Sequence, residues 1–276
     1  MLGLRSRWLA WRSGGGQESA NLTWTKIAAG GLLLATCVFA QEIPAGTVLP
    51  VMVGTSLNAK KDKPGQSIRG RLMQDVQFSS GAYVPAGAEL TGQIVSVDTS
   101  HGRFGSTITL RFERLTSRGQ IFSVTPNLRA LASMTAVHEA QLPTSTFDDY
   151  GTSPSDWTTV QVGGDAVYRG DGTVVSPSAE LVGRATHWGA VTGRLAAVAE
   201  SGCRGAPGGD RQDQALWVFS TSACGTYGFP DLRIARSGMT TPVGEITLES
   251  SGNVHVEGGS GWLLQVQGSA GGWPRH

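Results

Sequence analysis

Few residues in this sequence stand at spacings that could do chemistry. Cys203 and Cys224 form an even pair once Cys37 is set aside within an N-terminal export segment. In an oxidising compartment such a pair is expected to close a disulfide, with two free buried thiols as the alternative. The loop would hold about 22 residues, and its closure would contribute on the order of 3 kcal/mol by loop entropy. His101, His138, His187, His255 and His276 are scattered. A serine or cysteine nucleophile needs a base in reach and a third group to orient that base. Gly258-Gly259-Ser260-Gly261-Trp262 breaks the Gly-x-Ser-x-Gly pattern at its last position. His187 beside Trp188 and His255 within a strand are the two histidines to watch. Zinc spacings such as Cys-x-x-Cys or His-Glu-x-x-His do not occur. Asp210 and Asp213, in a glycine-flanked loop, suit calcium by ligand type, but two carboxylates are too few to make a site, and a solvated loop is the preferred reading. The glycine clusters carry no Lys-Ser/Thr and precede no helix, so no phosphate cradle is expected. Arg169-Gly170-Asp171 spells an adhesion tripeptide, yet it sits at a glycine-rich turn where such a sequence arises by chance. The reading is non-catalytic, with no cofactor and no metal. A hydrolase acting on envelope polymers is the competing class.

The elements that must position these residues are short strands. Val84-Pro85-Ala86-Gly87-Ala88-Glu89-Leu90-Thr91-Gly92 is echoed by Ile43-Pro44-Ala45-Gly46-Thr47-Val48-Leu49 and, more loosely, by Thr241-Pro242-Val243-Gly244-Glu245-Ile246. Proline at the first corner of a type II turn and glycine at the next would set a strand start in each copy. Pro44, Gly46, Pro85, Gly87 and Gly92 are thus assigned as turn residues. Period-2 alternation puts Ile108, Leu110 and Phe112 on one face, and Ile68, Gly70 and Leu72 on another. Ser117-Arg118-Gly119-Gln120 reads as a hairpin. Residues 127–140 carry helical spacing but follow a strand without an obvious cap, which leaves both readings open.

Downstream, Asp171-Gly172 marks a hairpin. Segments 190–198, 214–219, 232–234, 245–248, 254–257 and 262–266 read as further strands. The fold class expected is all-β, with two small antiparallel β-barrel or sandwich modules after a signal segment. The boundaries are 1–40 for the signal, 42–133 for the first module, 134–156 for a linker, 157–267 for the second module with its disulfide, and 268–276 for a tail. The 39 glycines in 276 residues, about twice the usual share of roughly 7%, fit many tight turns.

Within the first module the sequence resembles the C-terminal β-domain of TrbI-like conjugative-transfer and type IV secretion channel proteins. Carrying the likeness are Gly46-Thr47-Val48, Lys63-Pro64-Gly65, the stretch Val84–Gly92, and Leu110-Arg111-Phe112-Glu113-Arg114-Leu115 with Gly119. It covers about residues 43–124. His101-Gly102-Arg103-Phe104-Gly105 stands where that family carries Gly-Gln-x-Arg. The resemblance implies a domain that assembles into a ring through the envelope. The second half resembles no family we know.

Arg5, Arg7, Arg12 and Lys26 precede an apolar run, Ile27 to Phe39, which is shorter than a bilayer span, and Val38 and Ala40 suit cleavage before Gln41. An uncleaved N-terminal anchor is the alternative. Cleavage removes four of the 22 basic and one of the 21 acidic residues, leaving a net charge of −2 and nothing that favours nucleic acid. Trp157, Trp188, Trp217, Trp262 and Trp273 all fall in the second half, where packing or glycan binding would explain them. The expectation is an exported protein, periplasmic or associated with the outer envelope, without a spanning helix after signal removal. It would be a structural or interaction protein with protein partners in the envelope and a homo-oligomeric form, or, alternatively, a carbohydrate- or partner-binding module.

Overall fold

Alternating apolar and polar residues specify strands with one buried face, and the computed structural model converts nearly all of this pattern into β-structure. The structure describes residues 41–78, 83–99, 105–144, 153, 156–186, 190–196, 212–235 and 244–268. All of them belong to one compact unit, Phe39–His276. In chain order come β1 (Gln41–Glu42), β2 (Val48–Val53), β3 (Leu57–Asn58), β4 (Ser67–Leu72), β5 (Val76–Gln77), β6 (Tyr83–Val84), β7 (Glu89–Asp98), β8 (Ser106–Ser117), β9 (Gln120–Ser123) and β10 (Pro126–Ala132). Helix α1 (Met134–Glu139) follows, then β11 (Thr158–Val160), β12 (Ala166–Tyr168), β13 (Thr173–Val175), β14 (Leu181–Ala185), β15 (Val191–Gly193) and β16 (Gln214–Ala215). The chain continues with β17 (Gly225–Tyr227), β18 (Leu232–Ala235), β19 (Ile246–Ser250), β20 (His255–Val256) and β21 (Ser260–Val266).

The main sheet runs β1-β9-β8-β7-β4-β2-β21-β10-β17, and β18 pairs with β19, which returns to β8. Strand β8 divides its free side, giving Ser106–Leu110 to β19 and Arg114–Ser117 to β9. Strands β17 and β18 are consecutive, and the Thr226 hydroxyl donates to the Leu232 carbonyl at 2.8 Å. The sheet therefore nearly closes on itself as a barrel. Its interior is filled by Leu90, Ile94, Ile108, Leu110, Phe112 and Trp262, each at most 1% exposed. The Phe112 and Trp262 rings meet edge to face, 5.9 Å apart, the arrangement that aromatic quadrupoles favour.

A second sheet, β11-β12-β13-β14-β15-β16, is an antiparallel meander. Its inner residues Val167, Val174 and Val191 share a core with Leu216 and Phe219, and with Val48, Ala130, Ala132 and Leu263 from the outer face of the barrel. Strands β10 and β21 lie between two cores, and every residue in both is buried.

The sheets do not follow the boundaries expected from the sequence. Strands β17, β18, β19 and β21 belong to the barrel begun by residues 48–132, β20 pairs with β3 in a two-stranded sheet of its own, and β11 to β16 form the separate sheet within 157–267. The physical reason is edge pairing: β2 and β10 each leave an edge of backbone donors and acceptors that β21 fills, as β19 does for β8. The expected linker, 134–156, carries α1 instead. Ser133 caps this helix by accepting from the Ala136 N–H, and Val137 is buried against the second core.

The turn assignments need one shift. The Thr47 N–H donates to the Pro44 carbonyl (3.2 Å) and the Ala88 N–H to the Pro85 carbonyl (3.4 Å), while Gly46 and Gly87 both have φ of 86°. Each proline is therefore the first residue of its turn, and glycine occupies the third position, where positive φ is required. Gly46 and Gly87 then donate to the Val266 and Leu72 carbonyls, fastening each turn to the barrel. Gly92 is not a turn residue. It lies within β7 at a bulge, where a Cβ would run into the Arg111 carbonyl oxygen and sit 2.8 Å from Phe112 Cα.

Candidate functional site

The junction between barrel and second sheet is held by buried polar side chains. Gln74, after β4, donates from its amide to the Thr192 hydroxyl on β15 (3.0 Å) and accepts the Trp217 N–H (2.8 Å). Gln214 of β16 accepts the Val48 N–H at 3.1 Å. Arg129 is fully buried at a bulge in β10. Its Nε donates to the Ala223 carbonyl and its Nη2 to the Ala196 carbonyl, both at 3.0 Å. Burial lowers its pKa from the ordinary arginine value, and Tyr227 works in the opposite sense.

Asp165 is the second buried charge-bearing residue here, 1% exposed. It follows Gly163 and Gly164, whose φ values of 108° and 107° fold the chain between β11 and β12 into a tight turn. Its Oδ2 accepts both the N–H (2.8 Å) and the hydroxyl (2.9 Å) of Thr221, while Oδ1 has no partner. Burial raises its pKa above the ordinary aspartate value, more than the backbone and hydroxyl bonds from Thr221 lower it.

Beside this junction lies a cleft of about 580 Å³ lined by Gln74, Asp75, Gln77, Thr192, Asp213 and neighbouring small or apolar residues. The Asp75 carboxylate accepts the Ala86 N–H at 2.7 Å and so supports the Pro85–Ala88 turn. A second cleft, of about 610 Å³, runs between α1 and residues Val160–Val162.

The outer face of the second sheet carries an apolar row. Val160 lies opposite Ala166, Ala166 opposite Val175, and Val175 opposite Leu181, across four strands. Val160, Tyr168 and Leu181 are exposed by 44%, 43% and 68%. Glu180 and Arg184, both exposed, flank Leu181.

Several sequence candidates lie outside the described residues: Cys203, His101, His187, Trp188, Asp210, Trp273 and His276. Cys224 is buried. Asp213 lines the cleft described above. His255 is exposed, 3.9 Å from Glu257, and Ser260 is fully buried with its hydroxyl donating to the Glu257 carbonyl. Arg169 is partly buried, which lowers its pKa, and donates to the Thr159 hydroxyl. Asp171 holds the Thr173 N–H and hydroxyl, which lower its pKa. Both charged side chains of the tripeptide are thus bonded within the second sheet, Arg169 to β11 and Asp171 to β13. Trp217 and Trp262 are packed into the cores, leaving no free ring face for a glycan. Among the described residues, no group of three or more His, Cys, Asp or Glu side chains is placed to hold a metal, and no helix is long and apolar enough to cross a membrane.

Sequence reasoning missed Arg129 and Asp165. The available signals were a single cation inside the apolar run Leu128-Arg129-Ala130-Leu131-Ala132 and a carboxylate placed directly after two glycines. No protein-family model and no curated protein matches this chain.

Proposed function

We propose that the protein is an exported structural and interaction component of the bacterial envelope, a relative of secretion-channel domains, that assembles with copies of itself through the outer face of its second sheet. The observation that carries this reading is the apolar row Val160, Ala166, Val175 and Leu181, exposed at its two ends, Val160 and Leu181, and half-buried between them. Soluble monomers rarely leave contiguous apolar rows in water, and such rows mark interaction surfaces. A twofold contact brings a surface against itself, which suits an uncharged row. It also suits the flanking pair, because an antiparallel approach sets Glu180 of one copy towards Arg184 of the next. The resemblance to channel domains adds support: its motifs open or occupy β2, β4, β7 and β8, which are neighbours in the barrel.

The test is the native mass of residues 41–276 by light scattering on a sizing column, alongside the Leu181→Asp variant. A discrete oligomer that Leu181→Asp converts to monomer, with a melting temperature unchanged because the site is exposed, is the expected outcome. A wild-type monomer at all concentrations would end the assembly reading.

A further inference from the structure

The structure assigns Asp165 as the latch of a pH-dependent clasp: protonated, it holds the Gln161–Asp165 turn shut on the Ser220–Ala223 segment, and ionised, it loosens that grip. The turn and the segment are joined by a compact set of bonds. The Val162 N–H donates to Val218 (2.8 Å), the Ser220 N–H donates to Val162 (2.9 Å), and the Asp165 N–H donates to the Ser220 hydroxyl (2.9 Å). The Asp165 carboxyl then takes both donors of Thr221 on one oxygen. From the opposite side Arg129 holds the carbonyls of Ala223 and Ala196, and the Ala196 N–H donates to the Thr221 carbonyl at 3.0 Å. One segment is therefore gripped from the barrel by a cation and from the second sheet by a carboxyl.

The two grips respond differently to pH. Arginine stays charged across the accessible range. Asp165 has one oxygen satisfied and the other without a protein partner in a buried site, and a buried carboxylate oxygen without a donor is costly while a protonated one is much less so. The proton belongs on Oδ1, the oxygen without an incoming donor, so protonation leaves both Thr221 bonds in place. Ionisation favours any opening that lets water reach Oδ1, and Gly163 and Gly164 provide the flexible turn about which it can occur. The charged and titratable groups on surrounding elements are Arg129 on β10, Arg169 after β12, Arg194 after β15, Asp213 before β16 and Tyr227 on β17. None contributes to the shift at Asp165, which arises from burial opposed by the Thr221 bonds. The clasp is independent of what the protein binds.

Amide hydrogen exchange on the full chain, corrected for the intrinsic pH dependence of exchange, tests this. The amides of Val162, Ser220 and Thr221 should lose protection by about tenfold or more between about pH 4 and pH 8, relative to Leu110 in the barrel. Asp165→Asn should hold them protected throughout. Thr221→Val, which removes only the hydroxyl donor to the carboxylate, should move the loss to higher pH. A flat wild-type profile, or the same loss in Asp165→Asn, would overturn the assignment. If Asp165→Asn does not fold, an unshifted profile in Thr221→Val would do so.

Discussion

The barrel and the second sheet are paired with equal regularity, yet they are stabilised by different means. Barrel strands reach 12 residues in β8 and 10 in β7, and their inward side chains are large and apolar. At roughly 25 cal/mol per Å² of apolar surface removed from water, such an interior supplies most of its own stability. The strands of the second sheet have two to five residues. Three of them each bury one valine completely, Val167, Val174 and Val191, and a sheet that small has little core of its own. It leans on the outer face of β2, β21 and β10 and is fixed there by Gln74, Gln214 and Arg129. Burial builds the first region, and buried polar bonds attach the second to it.

The largest effect expected is from Trp262→Ala. This ring is fully buried against Phe112, and its strand β21 runs between β2 and β10. Truncating a core tryptophan costs about 3–5 kcal/mol. The neighbour Leu263 faces the other core, so damage to β21 should reach the second sheet as well. Urea unfolding followed by far-ultraviolet circular dichroism should show one transition at a much lower midpoint. A second sheet that survived the collapse of the barrel would contradict the dependence argued above.

Arg129→Met should have a smaller and more local effect. It keeps the bulk of the side chain but leaves the Ala196 and Ala223 carbonyls without their donor, at about 1–3 kcal/mol for the buried Ala223 carbonyl and less for Ala196, whose bond is only partly buried. Amide exchange should quicken at Ala196 and Thr221 while Ile94 and Leu110 stay protected. Equal loosening in both regions would mean that Arg129 supports the barrel and not its attachment.

This contrast also explains what could be read in the sequence. Strands β4 and β8, with Ile68, Leu72, Ile108, Leu110 and Phe112 inward, were legible because one face meets water and the alternation is clean. The hairpin at Arg118 and Gly119, with φ of 48° and 79°, was legible because turn chemistry is local. Strand β10 was not, because it is buried on both faces and its composition carries no alternation. The cap on α1 was a serine, Ser133, at the end of a strand that itself could not be read. The return of β19 and β21 into the barrel left no local trace, since a strand's sequence states which face is buried but not which neighbour it pairs with. Segment 214–219 looked like one strand, but only Gln214–Ala215 pairs as one. Trp217 then turns the chain at φ 54° so that Trp217, Val218 and Phe219 fill the second core. At the junction, residue types gave little warning, because glutamine, arginine and aspartate are ordinarily surface residues. Only their burial makes them consequential.

The smallest effect, and the one that sharpens the contrast most, is the pH dependence of melting carried by Asp165. Its folded-state pKa lies above that of the unfolded chain because burial outweighs the Thr221 bonds. Below the unfolded value both states are protonated, and the contribution of Asp165 to stability is complete. As pH rises through the ordinary carboxylate range the unfolded chain releases its proton first, and the folded state grows less favourable until the folded value has been passed. Asp165 alone therefore makes the protein less stable from about pH 4 upward, opposite in sign to a carboxylate held in a salt bridge. Asp165→Asn keeps an oxygen for Thr221 and removes the titration, so its melting temperature should fall less than that of the wild type across the same interval. The two proteins differ only at this group, so the difference between the curves reports on it. Parallel curves would place the second sheet's attachment entirely on its neutral and cationic bonds.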